Sequence, residues 1–97
     1  MDRITASLKF ATKATEALKS VNIEEDNIIS IGFDKYTTHV HLRDCPEAYS
    51  FINLMQAKVK LRMQNQRAFG EDSCHTLFNY LTQTQLPFEL TITSKKK

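Results

Sequence analysis

The spacing of apolar and polar positions changes several times along the chain, and each change marks an element. From Asp2 to Val21 the apolar residues are Ile4, Leu8, Phe10, Ala11, Ala14, Ala17, Leu18 and Val21. At about 100° per residue they fill about half of a helical circumference, with Lys9, Lys13, Glu16 and Lys19 opposite. This predicts a helix lying on a core. Mixed charge on its polar face and the lack of Trp argue against a helix resting on a membrane surface. Asn22 to Asn27 is polar and reads as a loop. Ile28 to Asp34 then alternates, with Ile29, Ile31 and Phe33 on one side and Ser30, Gly32 and Asp34 on the other. Thr38 to Arg43 alternates again, Val40 and Leu42 inward and His39, His41 and Arg43 outward. With Asp34-Lys35-Tyr36-Thr37 turning the chain, the two runs predict an antiparallel hairpin.

Asp44-Cys45-Pro46-Glu47 reads as a helix start, with Asp44 as the cap and Pro46 in the first turn. Ala48, Phe51, Ile52 and Met55 follow as one stripe. Ala57 to Ala68 supports two readings. Its Lys, Leu, Arg, Met and Gln content favours a continuing helix. A continuing helix, however, sets Lys58 and Arg62 inside the apolar stripe. As a strand, Val59, Leu61 and Met63 share one face and Lys58, Lys60 and Arg62 the other, so period favours the strand. Phe69-Gly70-Glu71-Asp72 breaks the chain, and Asp72 or Ser73 can cap a short helix carrying Cys74, Leu77, Phe78 and Leu81. After Pro87, the residues Phe88, Leu90 and Ile92 alternate with Glu89, Thr91 and Thr93 as a last strand. The expected fold is therefore α+β, in the order α-β-β-α-β-α-β. It has a three- to four-stranded mixed or antiparallel sheet with helices mainly on one face. The expected core is Leu8, Leu18, Ile31, Phe33, Val40, Leu42, Phe51, Ile52, Leu61, Leu77, Phe78, Leu90 and Ile92.

Composition narrows this picture. The 97 residues suit one domain over 1–94, followed by a basic tail at 95–97. Hydrophobic residues make up 41% of the chain, enough for one modest core. The two Gly and two Pro are too few for a many-turned all-β sandwich. A net charge of +2 leans weakly toward anionic partners, so any electrostatic argument must rest on placement. The start lacks the apolar run of a signal peptide, no stretch is long enough to span a membrane, and two cysteines make no disulfide scaffold. These features lead us to expect a cytoplasmic protein without a membrane partner.

Placement supplies the most useful pattern. If both middle strands are read correctly, His39, His41, Arg43, Lys58, Lys60 and Arg62 share the side of the sheet that is not core. Such a surface suits phosphates. The six include no aromatic residue, so base stacking is not part of the expectation. Lys and Arg also serve on sheets to prevent edge pairing, which is the non-functional explanation of the same residues.

His39-Val40-His41 is the sharpest local motif, since two imidazoles two apart on a strand can hold one metal from the same face. The string resembles the His-hydrophobe-His motif of the HUH endonucleases, which nick single-stranded DNA with a Tyr on a later helix. By that resemblance Tyr80 would be the nucleophile, with Gln83 or Gln85 as an extra ligand. The match covers three residues and one Tyr. Cys45 continues the outward series and could be imagined beside Cys74 or His75 around zinc, but no C-x-x-C or H-x-x-x-H spacing supports it. There is no G-x-S-x-G and no Gly-rich phosphate loop. Glu24, Glu25 and Asp26 read as a solvated turn, and Glu71 and Asp72 as helix-start charges.

The sequence thus points to a non-catalytic accessory protein, without cofactor or metal, that binds a macromolecular and polyanionic partner, nucleic acid first, through a basic sheet face. A protein-binding regulator or inhibitor, of the small accessory kind found on phages and plasmids, is the rival. It would carry an exposed apolar patch or a homodimer surface. A metal-dependent nicking nuclease of the HUH type comes third.

Overall fold

The computed structural model describes residues 3–33, 37–70, 74–83 and 86–94. Helix α1 (Arg3–Ser20) leads through a 3-10 turn at Glu25–Asn27 into β1 (Ile28–Phe33) and β2 (Thr38–Arg43). Helix α2 (Pro46–Lys58) follows, then β3 (Leu61–Phe69), β4 (His75–Thr82) and β5 (Pro87–Thr93). The five strands form one mixed sheet in the order β1-β2-β5-β4-β3. β2 and β5 run parallel, and the other neighbours are antiparallel. The α+β class and the mixed sheet agree with the sequence. The strand count is five, and the last expected helix is β4. The Asp34-Lys35-Tyr36 turn, the Asp72 or Ser73 cap and the 95–97 tail lie outside the described residues.

The core sits between the sheet and both helices. Phe88 of β5 is fully buried, and three rings meet it: Phe10 of α1 at 5.1 Å, Phe51 of α2 at 6.4 Å and Tyr80 of β4 at 5.9 Å between centroids. Val40, Leu42 and Leu90 complete the sheet side, and Ala48, Ile52 and Met55 the α2 side. On α1 the buried positions Ala14 and Ala17 are small, which lets the helix backbone approach closely. Helix α2 begins at Pro46, whose missing N–H costs nothing in a first turn. Its cap position is Cys45 and makes no side-chain cap bond. Asp44, expected to cap, instead accepts a hydrogen bond from the Ser94 hydroxyl at 3.2 Å.

The ambiguous segment divides between its two readings. Helix α2 runs to Lys58, and Val59 is already extended (φ −133°, ψ 133°) while its N–H still bonds the Met55 carbonyl at 2.8 Å. The strand starts at Leu61, so Ala57 to Lys60 are not strand. The apolar stripe of α2 stops at Met55, and a longer helix would bring Arg62 onto that buried face.

The segment taken as a helix after Gly70 is β4 for a related reason. Apolar residues at 77, 78, 80 and 81 satisfy a period of 3.6 or of 2, and Thr, Phe and Tyr favour a pleated surface. Pairing with β5 sets Phe78 opposite Leu90 and Tyr80 opposite Phe88, on the helix side of the sheet. Leu77 then faces the other side, opposite Thr91. Four expected core residues are therefore displaced, Leu77 by facing outward and three by lying beyond cover. Ile31 and Phe33 do pair with Val40 and Thr38 on the helix side, but β1 is an end strand and they stay exposed, Phe33 by 51%. Ile29 falls in a bulge between Ile28 and Ser30, and Leu8 lies on a flank of α1 that nothing among the described residues covers.

Truncation separates the two kinds of position. Phe51→Ala should cost about 3–5 kcal/mol and Phe33→Ala less than about 1 kcal/mol in urea unfolding, because only the first leaves a cavity. Equal costs would show that β1 is covered in solution.

Candidate polyanion-binding face

Residues that alternate with the core form the opposite face of the sheet, where no helix of the described residues packs. On β2, Val40 and Leu42 point to the core, so His39, His41 and Arg43 point away from it. The register lines these up with the other strands in rows. Arg43 pairs with Thr93, Thr93 with His75, and His75 with Phe69. His41 is followed across the sheet by Thr91, Leu77 and Arg67, and His39 by Glu89, Asn79 and Asn65. Each row spans four strands, roughly 14 Å, and successive rows are roughly 6.6–7 Å apart.

The first two rows are physically connected. His41 Nε2 and His75 Nδ1 both hydrogen-bond the Thr93 hydroxyl, the latter at 2.7 Å. That hydroxyl has one hydrogen, so it can donate to one imidazole while accepting from the other. The two rings lie 6.1 Å apart. His75 also stacks on Phe69, with centroids 5.0 Å apart and planes 28° from parallel. The Arg67 guanidinium lies 5.9 Å from the same phenyl ring. Arg43 donates from Nε to the Asp26 carbonyl at 3.0 Å, which ties it to the 3-10 turn. The His39 ring lies across β1 where a Cβ on Gly32 would sit, so glycine at 32 makes room for it. Glu89 is the one carboxylate among the described strand residues of this face.

Burial holds the His41 pKa below its ordinary 6.5, and the nearby charges of His75, Arg43 and His39 lower it further. Burial also raises the Tyr80 pKa.

Four of the six residues picked out in the sequence lie on this face: His39, His41 and Arg43 on β2, and Arg62 opposite Leu81 on β3. Lys58 and Lys60 stand on no strand of it, although Lys60 borders a recess with Arg62 and Leu81. Lys58 ends α2 and Lys60 lies in the link to β3; both line a cleft of about 460 Å³ with Lys9, Lys13 and Phe10. The series 58, 60, 62 is thus no strand face. His75, Arg67 and Phe69 also lie on this face and are not among the six. His75 sat in a segment read as helix. Gln64 is an extra residue on β3 between Met63 and Asn65, so the outward parity switches from even at Arg62 to odd at Arg67 and Phe69.

The nicking constellation is not assembled. Tyr80 is 4% exposed on the opposite side of the sheet from His39 and His41, between the rings of Phe78 and Phe88. It lies on a strand, and Gln85 lies outside the described residues. Among the described residues, no three His, Cys, Asp or Glu side chains converge as metal ligands, and Cys45 and Cys74 are free thiols. No helix of the described residues is long and apolar enough to cross a membrane.

No protein-family model matches the chain, and no curated protein is significantly similar to it. Fold and site together define a small α+β domain whose mixed sheet is covered on one side and presents cations, imidazoles and one phenyl ring on the other.

The lowered His41 pKa makes stability depend on pH. Below about pH 6.5 the unfolded chain binds more protons at this residue than the folded one, so folding stability rises with pH through that range. Thermal melting followed from about pH 7.5 down to about pH 5 should show a falling Tm, and His41→Gln should flatten the slope. The same slope in both proteins would show that His41 titrates normally.

Proposed function

We propose that this domain is a non-catalytic binding protein that holds a polyanion, nucleic acid first, against the bare face of its sheet. The observation that carries this reading is the placement of Arg43, Arg62, Arg67 and three imidazoles on a face with one carboxylate among its described strand residues. Rows roughly 6.6–7 Å apart approach the spacing of successive phosphates on an extended strand. Contacts of this type position a phosphate backbone and do not read bases. The arginines supply permanent charge and the histidines charge that depends on pH.

Binding and protonation are linked on this face. A phosphate near His41 favours its charged form and offsets the effect of burial and of the cations His39, Arg43 and His75. The other charged groups of these rows are Arg67, three strands from His41, and Glu89 beside His39. Affinity should therefore rise as pH falls, while the stability of the free protein declines.

Titration of a labelled oligonucleotide checks this directly. Affinity should drop at least tenfold between about 50 and 200 mM salt, as expected for several phosphate contacts. It should increase between about pH 7.5 and pH 6. Arg43→Gln with Arg67→Gln should weaken binding at least tenfold, roughly the loss of two charge-assisted contacts. Lys58→Gln with Lys60→Gln should matter less. An absence of binding at low salt, or equal losses from both pairs, would refute the reading.

A specific observation also favours a contact with another protein, on a different surface. Ile4 and Leu8 on α1 and Ile29, Ile31 and Phe33 on β1 are exposed, and β1 is an end strand whose outer edge no described strand pairs, which suits strand addition. Under that reading Phe33→Ser abolishes capture of the partner, and the Arg43 and Arg67 substitutions leave it intact.

A further inference from the structure

We infer that the exposed part of the Phe69 ring is a base-stacking position, so that the bare face selects single-stranded over double-stranded nucleic acid; this rests on the polyanion reading and names its substrate class. Phe69 is 42% exposed on a face whose other described strand residues include three arginines and three histidines. A ring left in water among cations gains nothing from the core, yet its orientation is fixed. His75 stacks against it at 5.0 Å, and His75 is itself held by the Thr93 hydroxyl through Nδ1. The platform is therefore ordered before any ligand arrives, which lowers the entropic cost of binding.

Arg67 completes the arrangement. Its guanidinium stands 5.9 Å from the Phe69 ring, near the outer limit of about 6 Å for a cation over an aromatic face. A base stacking on Phe69 can draw Arg67 onto its own face or leave it to the adjoining phosphate. Arg43 and the imidazoles of His41 and His75 complete the first two rows toward β2 and can follow the backbone onward. Every nucleobase has a π face, so stacking is tolerant of sequence. In a duplex those faces are already occupied by neighbouring base pairs, and the sheet could meet only the phosphates. The protein should therefore prefer unpaired strands.

The test uses the whole chain and three probes: an oligo(dT) of about 15 nucleotides, the upper end of a single-strand site size, a duplex of the same length, and inorganic polyphosphate. Oligo(dT) should bind more tightly than the duplex. Phe69→Ala should weaken oligo(dT) binding about 5- to 100-fold, the range for loss of one stacked base, and leave polyphosphate binding unchanged. The chain has no Trp, so Phe69→Trp adds a single indole at this position. That variant should bind oligo(dT) as well as the parent does, with its emission quenched by oligo(dT) but not by polyphosphate. This readout stands even if Phe69→Ala folds poorly.

The inference alone fails if polyphosphate and nucleic acid bind but Phe69→Ala leaves oligo(dT) affinity intact, or if the indole is not quenched. Equal loss toward polyphosphate also overturns it, because the ring would then be shaping the face rather than stacking. If the parent protein binds none of the three probes, the polyanion reading itself is wrong.

Discussion

Each helix sets a phenyl ring against one residue of the sheet, Phe88, and the core is built around that contact. Its ring takes Phe10 from α1, Phe51 from α2 and Tyr80 from the neighbouring strand. Phe88 lies on β5, the middle strand of the sheet, paired in parallel with β2 and antiparallel with β4. A chain of this size has apolar surface for one core. Closing it around Phe88 commits both helices to the same side and leaves the other side of the sheet without cover among the described residues.

Strand geometry then turns a packing decision into an ordered outer surface. Successive side chains point to opposite faces, so every residue locked into the core fixes the direction of its neighbours. Val40 and Leu42 aim His39, His41 and Arg43 outward; Leu90 and Ile92 do the same for Thr91 and Thr93. Registry across β2, β5, β4 and β3 brings Arg43, Thr93, His75 and Phe69 into one line. The shared Thr93 hydroxyl and the His75–Phe69 stack give that line internal order. Residues on four strands thus form one surface, with positions set by core packing rather than by loops.

The periods of the hydrophobic pattern located α1, β1, β2, α2 and β5, and with them the outward direction of His39, His41 and Arg43. What they could not carry was tertiary information. Alternation at Ile31 and Phe33 identifies a side of the sheet but not whether a helix lies over it, and β1 is an uncovered end. Apolar residues at 77, 78, 80 and 81 fit two periods, and the choice was made by pairing of Phe78 and Tyr80 with Leu90 and Phe88. The bulge at Gln64 switches parity within β3, so Arg67 and Phe69 join the face that Arg62 begins. Tyr80, which a motif match made a candidate nucleophile, is a core residue because it stands on the helix side of a central strand.

A polyanion bound as proposed meets the bare face of the sheet and not the helix side. All three histidines of the chain lie on that face, so their imidazole resonances report on it alone. The most direct measurement is an NMR titration with a single-stranded oligonucleotide that follows the Cε1–Hε1 signals of His39, His41 and His75 beside the methyl signals of Ile4, Leu8 and Ile31. The imidazole signals should move and saturate together while the methyl signals stay in place. Movement of the methyl signals with unmoved imidazoles would contradict it.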